Sequence, residues 1–395
     1  MTLTRSIALA LAVLAATRVQ ALEGEDPWGV SFGGGLAHTE NLLRLPAGVT
    51  PAQAGVGDRP RGTWIVNGYA RGALDLRAGR QRLTASVQAN SYRYADYSYL
   101  NWEGVDYGGA WLWEVGNRWT GTLSYEHTKF LSGLADFQAV IQNLRTVDVA
   151  RAAAEYSIDP RWRLTGAFTG TFVDNSTAQL AANNLNEYAY GGGLKYVSAR
   201  ESYVTLGGRY ARGDYRDRPF PTQFDNAYDQ YDVGVDTFWV FGPKSEIGGH
   251  AGYTWREFPN LPQRDFSGPT GRLRFTWRPT EKTGLGVFVR REIGAIEDEV
   301  ADYVVTTAGR VAPVWQITPK VQLEAALERQ HRDYRADPQF FQREDRYTFA
   351  NLGAVWRPTR NWEISLAVQY STRNSNFPGN DYRDVSTYGT LRFGF

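Results

Sequence analysis

Hydrophobic and polar residues alternate with a period of two through most of the chain. In the segment 83–90, Leu83, Ala85 and Val87 are each followed by a polar residue. Successive side chains of a strand point to opposite faces, so this pattern is typical of a sheet with one apolar and one polar face. The same alternation recurs in the segments 204–210, 272–277, 321–328 and 364–371. The pattern predicts an all-β chain, in which Trp28–Ala37 and the Ala-rich Val147–Tyr156 are the least regular strands.

Two kinds of connection alternate between the predicted strands. Short polar turns are predicted at Ala78–Gln81, Gly116–Arg118, Asp159–Arg161, Ser198–Glu201, Gly242–Lys244, Pro279–Lys282, Thr318–Pro319 and Pro358–Asn361. Longer loops are predicted at Thr39–Gly62, Ala95–Asn101, Ser132–Leu144, Asn175–Leu185, Asp214–Ala227, Pro259–Arg264, Asp298–Ala301, Ala336–Glu344 and Asn374–Asp381. Short turns at one end and long loops at the other are typical of transmembrane β-barrels, and they place both chain termini on the periplasmic side.

The nine long loops imply nine hairpins and therefore 18 strands, or 16 if the two least regular strands do not form. Several short turns share an apolar residue two positions before a proline, as in Trp277-Arg278-Pro279 and Trp356-Arg357-Pro358. A hairpin repeat of about 40 residues is also compatible with propeller blades. The difference in length between turns and loops favours the barrel. Because closure needs every strand, residues 22–395 are predicted to form one antiparallel barrel domain.

The first 21 residues have the pattern of a secretory signal peptide. Arg5 precedes the apolar segment Ser6–Ala16, and Val19-Gln20-Ala21 forms a small-x-small cleavage site. The alternative is a buried N-terminal helix. After Ala21 no stretch of about 18 apolar residues follows, so no spanning helix is predicted. The sequence predicts export, with residues 1–21 removed.

Composition narrows the class of protein further. The mean hydropathy is −0.44, yet the chain holds 13 Trp, 23 Tyr and 19 Phe. This combination is typical of a barrel wall that has lipid on one side and water on the other. The absence of Cys excludes a disulfide scaffold and thiol chemistry. The 43 basic and 42 acidic residues give a net charge of +1, which argues against nucleic acid as a partner.

The C-terminal segment Tyr388–Phe395 alternates apolar residues and ends in Phe395. It resembles the assembly signal of bacterial outer-membrane barrels. With the leader, it predicts a place in the outer membrane of a Gram-negative cell. Outer-membrane lipid, lipopolysaccharide and the barrel assembly machinery are then the expected partners.

The proline turns followed by alternating strands, at 160–164 and 358–366, resemble those of EpsL-type outer-membrane β-barrel proteins of exopolysaccharide biosynthesis and export. The resemblance covers the mature chain as a pattern of hairpins, with no catalytic motif, and the chain lacks the helical periplasmic repeats of dedicated export machines. It implies secretion of exopolysaccharide, together with periplasmic polysaccharide export components. The alternative function is a general diffusion porin for small solutes. A barrel enzyme and a surface-adhesion barrel are further alternatives.

Candidate solute-binding residues follow from the predicted inward face. Arg272 and Arg274 share one face of one strand and are expected to hold carboxylates or sulfates. The other candidates are Arg209, Arg290 and Arg392. Salt-bridged arginines in a solvated wall are the alternative interpretation. Asp236 and Glu328 are among the acids predicted on the same face.

Tyr92 and Tyr94 are predicted to point inward and to form part of a track on which sugar rings stack. The alternative for exposed aromatic residues is a girdle at the membrane surface, which we favour for Trp111, Trp113, Trp255 and Trp277. Long loops that fold into the lumen would favour selective export, but the sequence does not place them.

Catalytic chemistry is not indicated. The four histidines, His38, His127, His250 and His331, do not have the spacing of a metal motif. His250 is predicted to face the lumen with Thr254, and no serine or acid in the sequence is marked as its partner. No enzyme activity, cofactor or metal is predicted.

Overall fold

The computed structural model describes residues 27–134, 141–218, 225–294, 303–335 and 342–395, and these form a closed antiparallel β-barrel of 18 strands. The predicted signal peptide at 1–21 lies outside the described residues. The strands are β1 (Trp28–Thr39), β2 (Thr63–Ala78), β3 (Gln81–Tyr94), β4 (Trp102–Val115), β5 (Trp119–Leu131), β6 (Leu144–Ser157), β7 (Trp162–Asn175), β8 (Leu185–Val197), β9 (Tyr203–Tyr215), β10 (Ala227–Gly242), β11 (Ser245–Glu257), β12 (Phe266–Trp277), β13 (Thr283–Gly294), β14 (Tyr303–Thr318), β15 (Val321–Arg335), β16 (Arg343–Trp356), β17 (Trp362–Ser375) and β18 (Tyr382–Gly394). The count of 18 is confirmed, and the two least regular segments form β1 and β6.

Each strand pairs with its sequence neighbours, and β1 closes the ring against β18. Nine consecutive pairs join these two strands, from Ser31 opposite Gly394 to Thr39 opposite Ser386. Beyond the ladder, Phe395 donates its N–H to the Val30 carbonyl at 3.0 Å and accepts the Val30 N–H at 2.9 Å. The last residue of the chain therefore takes part in closure, which leaves no free sheet edge.

The two faces of the wall follow the predicted alternation. Large apolar side chains remain exposed on the outer face, with Leu206 at 62% and Leu366 at 63%. Polar side chains of alternate residues point into the barrel. Of the four predicted girdle residues, Trp111, Trp255 and Trp277 lie outward and are exposed, and Trp113, on the same face of β4 as Trp111, is half-buried. An apolar outside and a polar inside are the arrangement expected of a barrel with lipid around it.

Short turns join the strands at one end of the barrel, and the strand ends that the nine longer connections join lie at the other. We call these the short-turn end and the long-loop end. The described helical segments are three 3₁₀ turns in long loops, Ser98–Leu100, Ala178–Asn183 and Pro262–Arg264. Over the part of the chain that the structure describes, no helix is long and apolar enough to cross a membrane.

Candidate functional site: the barrel lumen

The interior of the barrel is a cavity of about 2780 Å³. Its lining includes Pro358 and Asn361 at the short-turn end, and Leu134 and Asn183 at the long-loop end. The same cavity therefore reaches towards both ends of the barrel. Alternate residues of every strand point inward and line it, so that charged and polar side chains share the wall with apolar ones.

The connection between β1 and β2, residues 40–62, folds into the barrel, and we call it the inserted loop. Its leucines Leu42, Leu43 and Leu45 are buried against inward-facing residues of the wall. These wall residues are Ala37, Ile65, Tyr94, Trp102, Ala367 and Tyr388. They belong to β17, β18 and β1–β4, so the loop lies along one side of the lumen. Burial of its apolar side chains holds it there.

An ion pair anchors the inserted loop to the wall. The Arg44 guanidinium pairs with the Asp384 carboxylate of β18, which is 1% exposed. The same carboxylate accepts hydrogen bonds from the Thr39 hydroxyl at 2.8 Å, the Asn41 N–H at 2.9 Å and the Ser386 hydroxyl at 2.6 Å. A buried carboxylate needs such partners, because its charge is costly to remove from water. Arg44 also has a φ of 57°, a left-handed conformation that is uncommon for residues other than glycine.

The predicted sugar-stacking tyrosines lie beneath this loop. Tyr92 stacks on Trp102, with 4.6 Å between ring centroids and 8° between planes. Tyr94 is 6% exposed and belongs to the same buried cluster. Nearby, the Tyr97 hydroxyl donates to the Pro60 carbonyl at 2.5 Å. Burial raises the pKa of Tyr97, so this loop hydroxyl stays protonated. Both predicted tyrosines thus point inward, where they support the inserted loop and Tyr92 keeps contact with the lumen.

Many inward-facing charges are paired across neighbouring strands. Arg209 bonds to Glu187 at 2.7 Å and to Asp232 at 3.1 Å. The Glu155 carboxylate holds Arg163 at 3.2 Å and Lys195 at 2.6 Å. For Arg209, one of the predicted solute-binding residues, this geometry fits the alternative interpretation of a salt-bridged wall. Such pairs leave little charge for a passing solute.

Arg272, Arg274 and Arg290 form a different environment on β12 and β13. Arg272 lies directly opposite Arg290 in the ladder, and Arg274 is two residues along the same face. Arg272 and Arg274 are exposed to the lumen, and among the described residues neither has a carboxylate within ion-pair distance. Among their contacts, Arg290 and Arg310 approach Glu292 and Glu328 at 3.8 to 3.9 Å. We call Arg272, Arg274, Arg290, Arg310, Glu292 and Glu328 the arginine patch, and the formal charges of these six side chains, four positive and two negative, sum to +2.

The arginine patch faces the inserted loop across the lumen. The loop packs on β17, β18 and β1–β4, and β12 and β13 lie in the opposite half of the 18-strand ring. Arg392, the remaining predicted arginine, is separate from the patch and lies on β18. It is opposite Glu363 on one side and Gly33 on the other. The structure therefore brings together three of the predicted residues, and leaves Arg209 and Arg392 elsewhere.

His250 lies beside the patch, directly opposite both Asp236 and Arg272. Its Nδ1 is 3.1 Å from an Asp236 oxygen, which supplies the acid partner that the sequence did not mark. Glycines make room for the ring. A Cβ added to Gly234 or Gly252 would lie 2.7 or 2.9 Å from imidazole atoms. The side chains of Arg290, Arg272 and His250 thus form a row across β13, β12 and β11.

A second group of arginines, which was not predicted from the sequence, lies near the long-loop end. Arg332, Arg343 and Arg373 point inward and are buried. Arg332 lies over the Tyr347 ring at 4.3 Å, and Arg343 lies over Tyr334 at 4.2 Å. Arg343 also bonds to Asp345 at 2.6 Å. The alternation of inward and outward residues could have indicated them. Arg332 lies on the same face of β15 as Glu324 and Glu328, and Arg343 and Arg373 lie opposite inward-facing residues of the neighbouring strands.

Comparison with known proteins agrees with this fold. Residues 229–395 match the model of the family described as Putative beta-barrel porin 2. No curated protein matches the chain. Many solved structures do, among them Pseudomonas aeruginosa OpdK with vanillate, at 10% identity and a TM-score of 0.52, covering 93% of this chain and 99% of that one.

Two further structures are similar over nearly the whole chain. P. aeruginosa OccK2 (OpdF) in complex with glucuronate has a TM-score of 0.52 and 10% identity, covering 93% of this chain and 98% of that one. Acinetobacter baumannii OccAB3 has a TM-score of 0.50 and 10% identity, with the same coverage. The chain therefore has the fold of outer-membrane porins. At this identity the likeness concerns the fold alone.

Proposed function

We propose that this protein is an outer-membrane channel for small solutes that favours anions. The single observation that carries the proposal is the arginine patch, which places Arg272 and Arg274 on the lumen wall, exposed and without an ion-pair partner among the described residues. A guanidinium in water attracts carboxylates and phosphates without holding them irreversibly. An excess of positive charge on the wall raises the local concentration of anions and their rate of entry.

The apolar outer face of the barrel supports a location in the outer membrane. A closed barrel with an apolar outside suits a bilayer, because closure leaves no free sheet edge, which lipid could not hydrogen-bond. The short-turn end then faces the periplasm, and the long-loop end faces the medium. The partial match to a porin family and the porin fold support the same placement.

The inserted loop supports selective passage of small molecules over passage of a polymer. It occupies one side of the lumen and is held by an apolar cluster and an ion pair. Two of the proteins with this fold have structures with small acids, vanillate and glucuronate. Secretion of exopolysaccharide, the first interpretation of the sequence, stays a prediction. The diffusion porin that was its alternative fits the geometry better.

The test measures ion selectivity of the purified protein in planar lipid bilayers. Under a KCl gradient, the reversal potential of the wild-type pore should show a preference for chloride. Changing Arg272, Arg274 and Arg290 together to Gln should reduce that preference. The change removes three positive charges from the wall and leaves polar side chains that can still form hydrogen bonds.

Arg291→Gln is a matched control. Arg291 neighbours Arg290 in sequence but points to the outer face, where it donates to the Thr307 hydroxyl at 2.9 Å. This variant should keep the wild-type reversal potential. A wild-type pore that prefers potassium, or a triple variant with unchanged selectivity, would overturn the proposal. In cells, a deletion strain that loses polymer secretion while uptake of small acids is normal would favour the export function instead.

A further inference from the structure

Three of the four histidines lie beside an aspartate. His127 Nδ1 is 2.7 Å from Asp148, His250 Nδ1 is 3.1 Å from Asp236, and His331 Nε2 is 2.8 Å from Asp333. A single His–Asp contact is an ordinary hydrogen bond or ion pair. We therefore compare the surroundings of the three pairs, to see whether any of them differs from the other two.

His331 differs from the other two because a second carboxylate is in reach. Glu344 Oε2 is 4.0 Å from His331 Nε2. The ligand atoms of His331, Asp333 and Glu344 all lie within 4.8 Å of one another, and no other such trio occurs among the described residues. The arrangement follows from the ladder, in which Asp333 lies directly opposite Glu344 and His331 precedes Asp333 by two residues on the same face.

Two acids directly opposite each other repel, and a cross-strand pair of this kind destabilises a sheet. The nearest cations do not balance the pair well. Arg335 approaches Asp333 only to 3.9 Å, and Arg346 lies opposite His331 in the ladder. The Glu344 side chain is half exposed, so it is free to turn towards a shared ion.

We propose that His331, Asp333 and Glu344 bind a divalent transition-metal ion, for which Zn²⁺ is the best fit. Zn²⁺ accepts one imidazole nitrogen and two carboxylate oxygens at about 2.0–2.2 Å, with water in a fourth position. The imidazole distinguishes the trio from the all-oxygen sites that Mg²⁺ and Ca²⁺ prefer. The ion neutralises the opposed acids and joins β15 to β16 at the long-loop end, on the outer face. This site is independent of the proposed solute pathway.

The experiment uses the full barrel, folded in detergent and freed of metal by EDTA. Titration calorimetry with ZnCl₂ should show one saturable site per chain, and Zn²⁺ should raise the melting temperature because it binds only the folded ladder. His331→Ala and Glu344→Gln should each weaken binding by about tenfold or more, since loss of even an indirect metal partner costs about 10–100-fold. An excess of MgCl₂ should not compete.

His127→Ala and His250→Ala are matched controls, because each removes a histidine that has only one carboxylate beside it. Both should bind Zn²⁺ like the wild type. Heat-modifiable mobility shows whether each variant is folded, and Glu344→Gln keeps the test valid if His331→Ala does not fold. Absence of saturable binding to the wild type would overturn the proposal. Equal losses in His127→Ala and His331→Ala would overturn it too, since they would indicate nonspecific histidine binding.

Discussion

Arg272 and Arg290 lie directly opposite each other on β12 and β13, with both side chains in the lumen. Like charges in this position destabilise a pair of strands, whereas opposite charges stabilise it. The lumen elsewhere contains close ion pairs, such as Arg82 with Asp75 at 2.6 Å. The wall therefore keeps a repulsive pair at a position where an acidic residue would have been more favourable for folding. The role in attracting anions that we propose would account for this arrangement.

The first prediction concerns that pair. Arg272→Glu places a carboxylate opposite Arg290 and should raise the free energy of unfolding by about 0.2–1 kcal/mol. The same change should shift the reversal potential towards cations. Urea titration of the barrel in lipid vesicles measures the first effect, and bilayer recording measures the second.

Arg71→Glu is the control for this prediction. Arg71 also points inward, but it faces Ser31 and Gln88, so the new acid gains no cation directly opposite. It should change selectivity without raising stability. A gain in stability for Arg71→Glu equal to that of Arg272→Glu would contradict the explanation by cross-strand charge.

The second prediction concerns the anchor of the inserted loop. Arg44→Met leaves the buried Asp384 carboxylate without its cation and should lower stability by about 3 kcal/mol, as expected for a broken buried ion pair. The freed loop should also be cut faster by protease within residues 47–58, most of which are exposed, and single-channel current should become larger or noisier.

Adding Asp384→Asn to Arg44→Met should recover much of the lost stability, because no charge then remains buried. The new amide can still accept hydrogen bonds from Thr39 and Ser386, which now bond to Asp384. If the double variant is as unstable as the sum of the single variants, the two side chains do not act as a pair.

The third prediction fixes the orientation of the barrel. The chain has no cysteine, so single cysteines are informative. Gln263→Cys lies at the long-loop end of β12, and Glu281→Cys lies in the short turn that follows the same strand. A maleimide that does not cross membranes should label Gln263→Cys on intact cells and Glu281→Cys only after lysis. The reverse result would invert the proposed topology.

The fourth prediction concerns assembly. Deletion of Phe395, or Phe395→Asp, should reduce the amount of folded barrel in the outer membrane, since Phe395 makes two backbone hydrogen bonds to β1 and extends the terminal aromatic pattern. Phe241→Asp removes another exposed aromatic side chain at the short-turn end and should reduce it less. Heat-modifiable mobility of membrane extracts measures both, and equal losses would argue against a special role for the C-terminal residue.

The alternation along the chain was enough to locate the strands, to limit their number to 18 or 16, and to assign side chains to the inner or outer face. These properties are local, because a strand turns successive residues to opposite faces whatever its neighbours are. Arg272, Arg274 and Arg290 were therefore predicted to point inward from their own segments. The alternation of short turns and long loops was equally visible, since glycine, proline and polar residues mark turns locally.

The folded barrel is needed to tell which inward charges are neutralised and where the inserted loop lies. Arg209 is paired because the register places it between Glu187 and Asp232. Arg272 has no acid partner in the described part of the chain, because the register places it beside Arg290. The pose of the inserted loop depends on Arg44 meeting Asp384, which is 340 residues further along the chain. Such contacts depend on ring closure and cross-strand register, and the period-two pattern of a single strand carries no information about either.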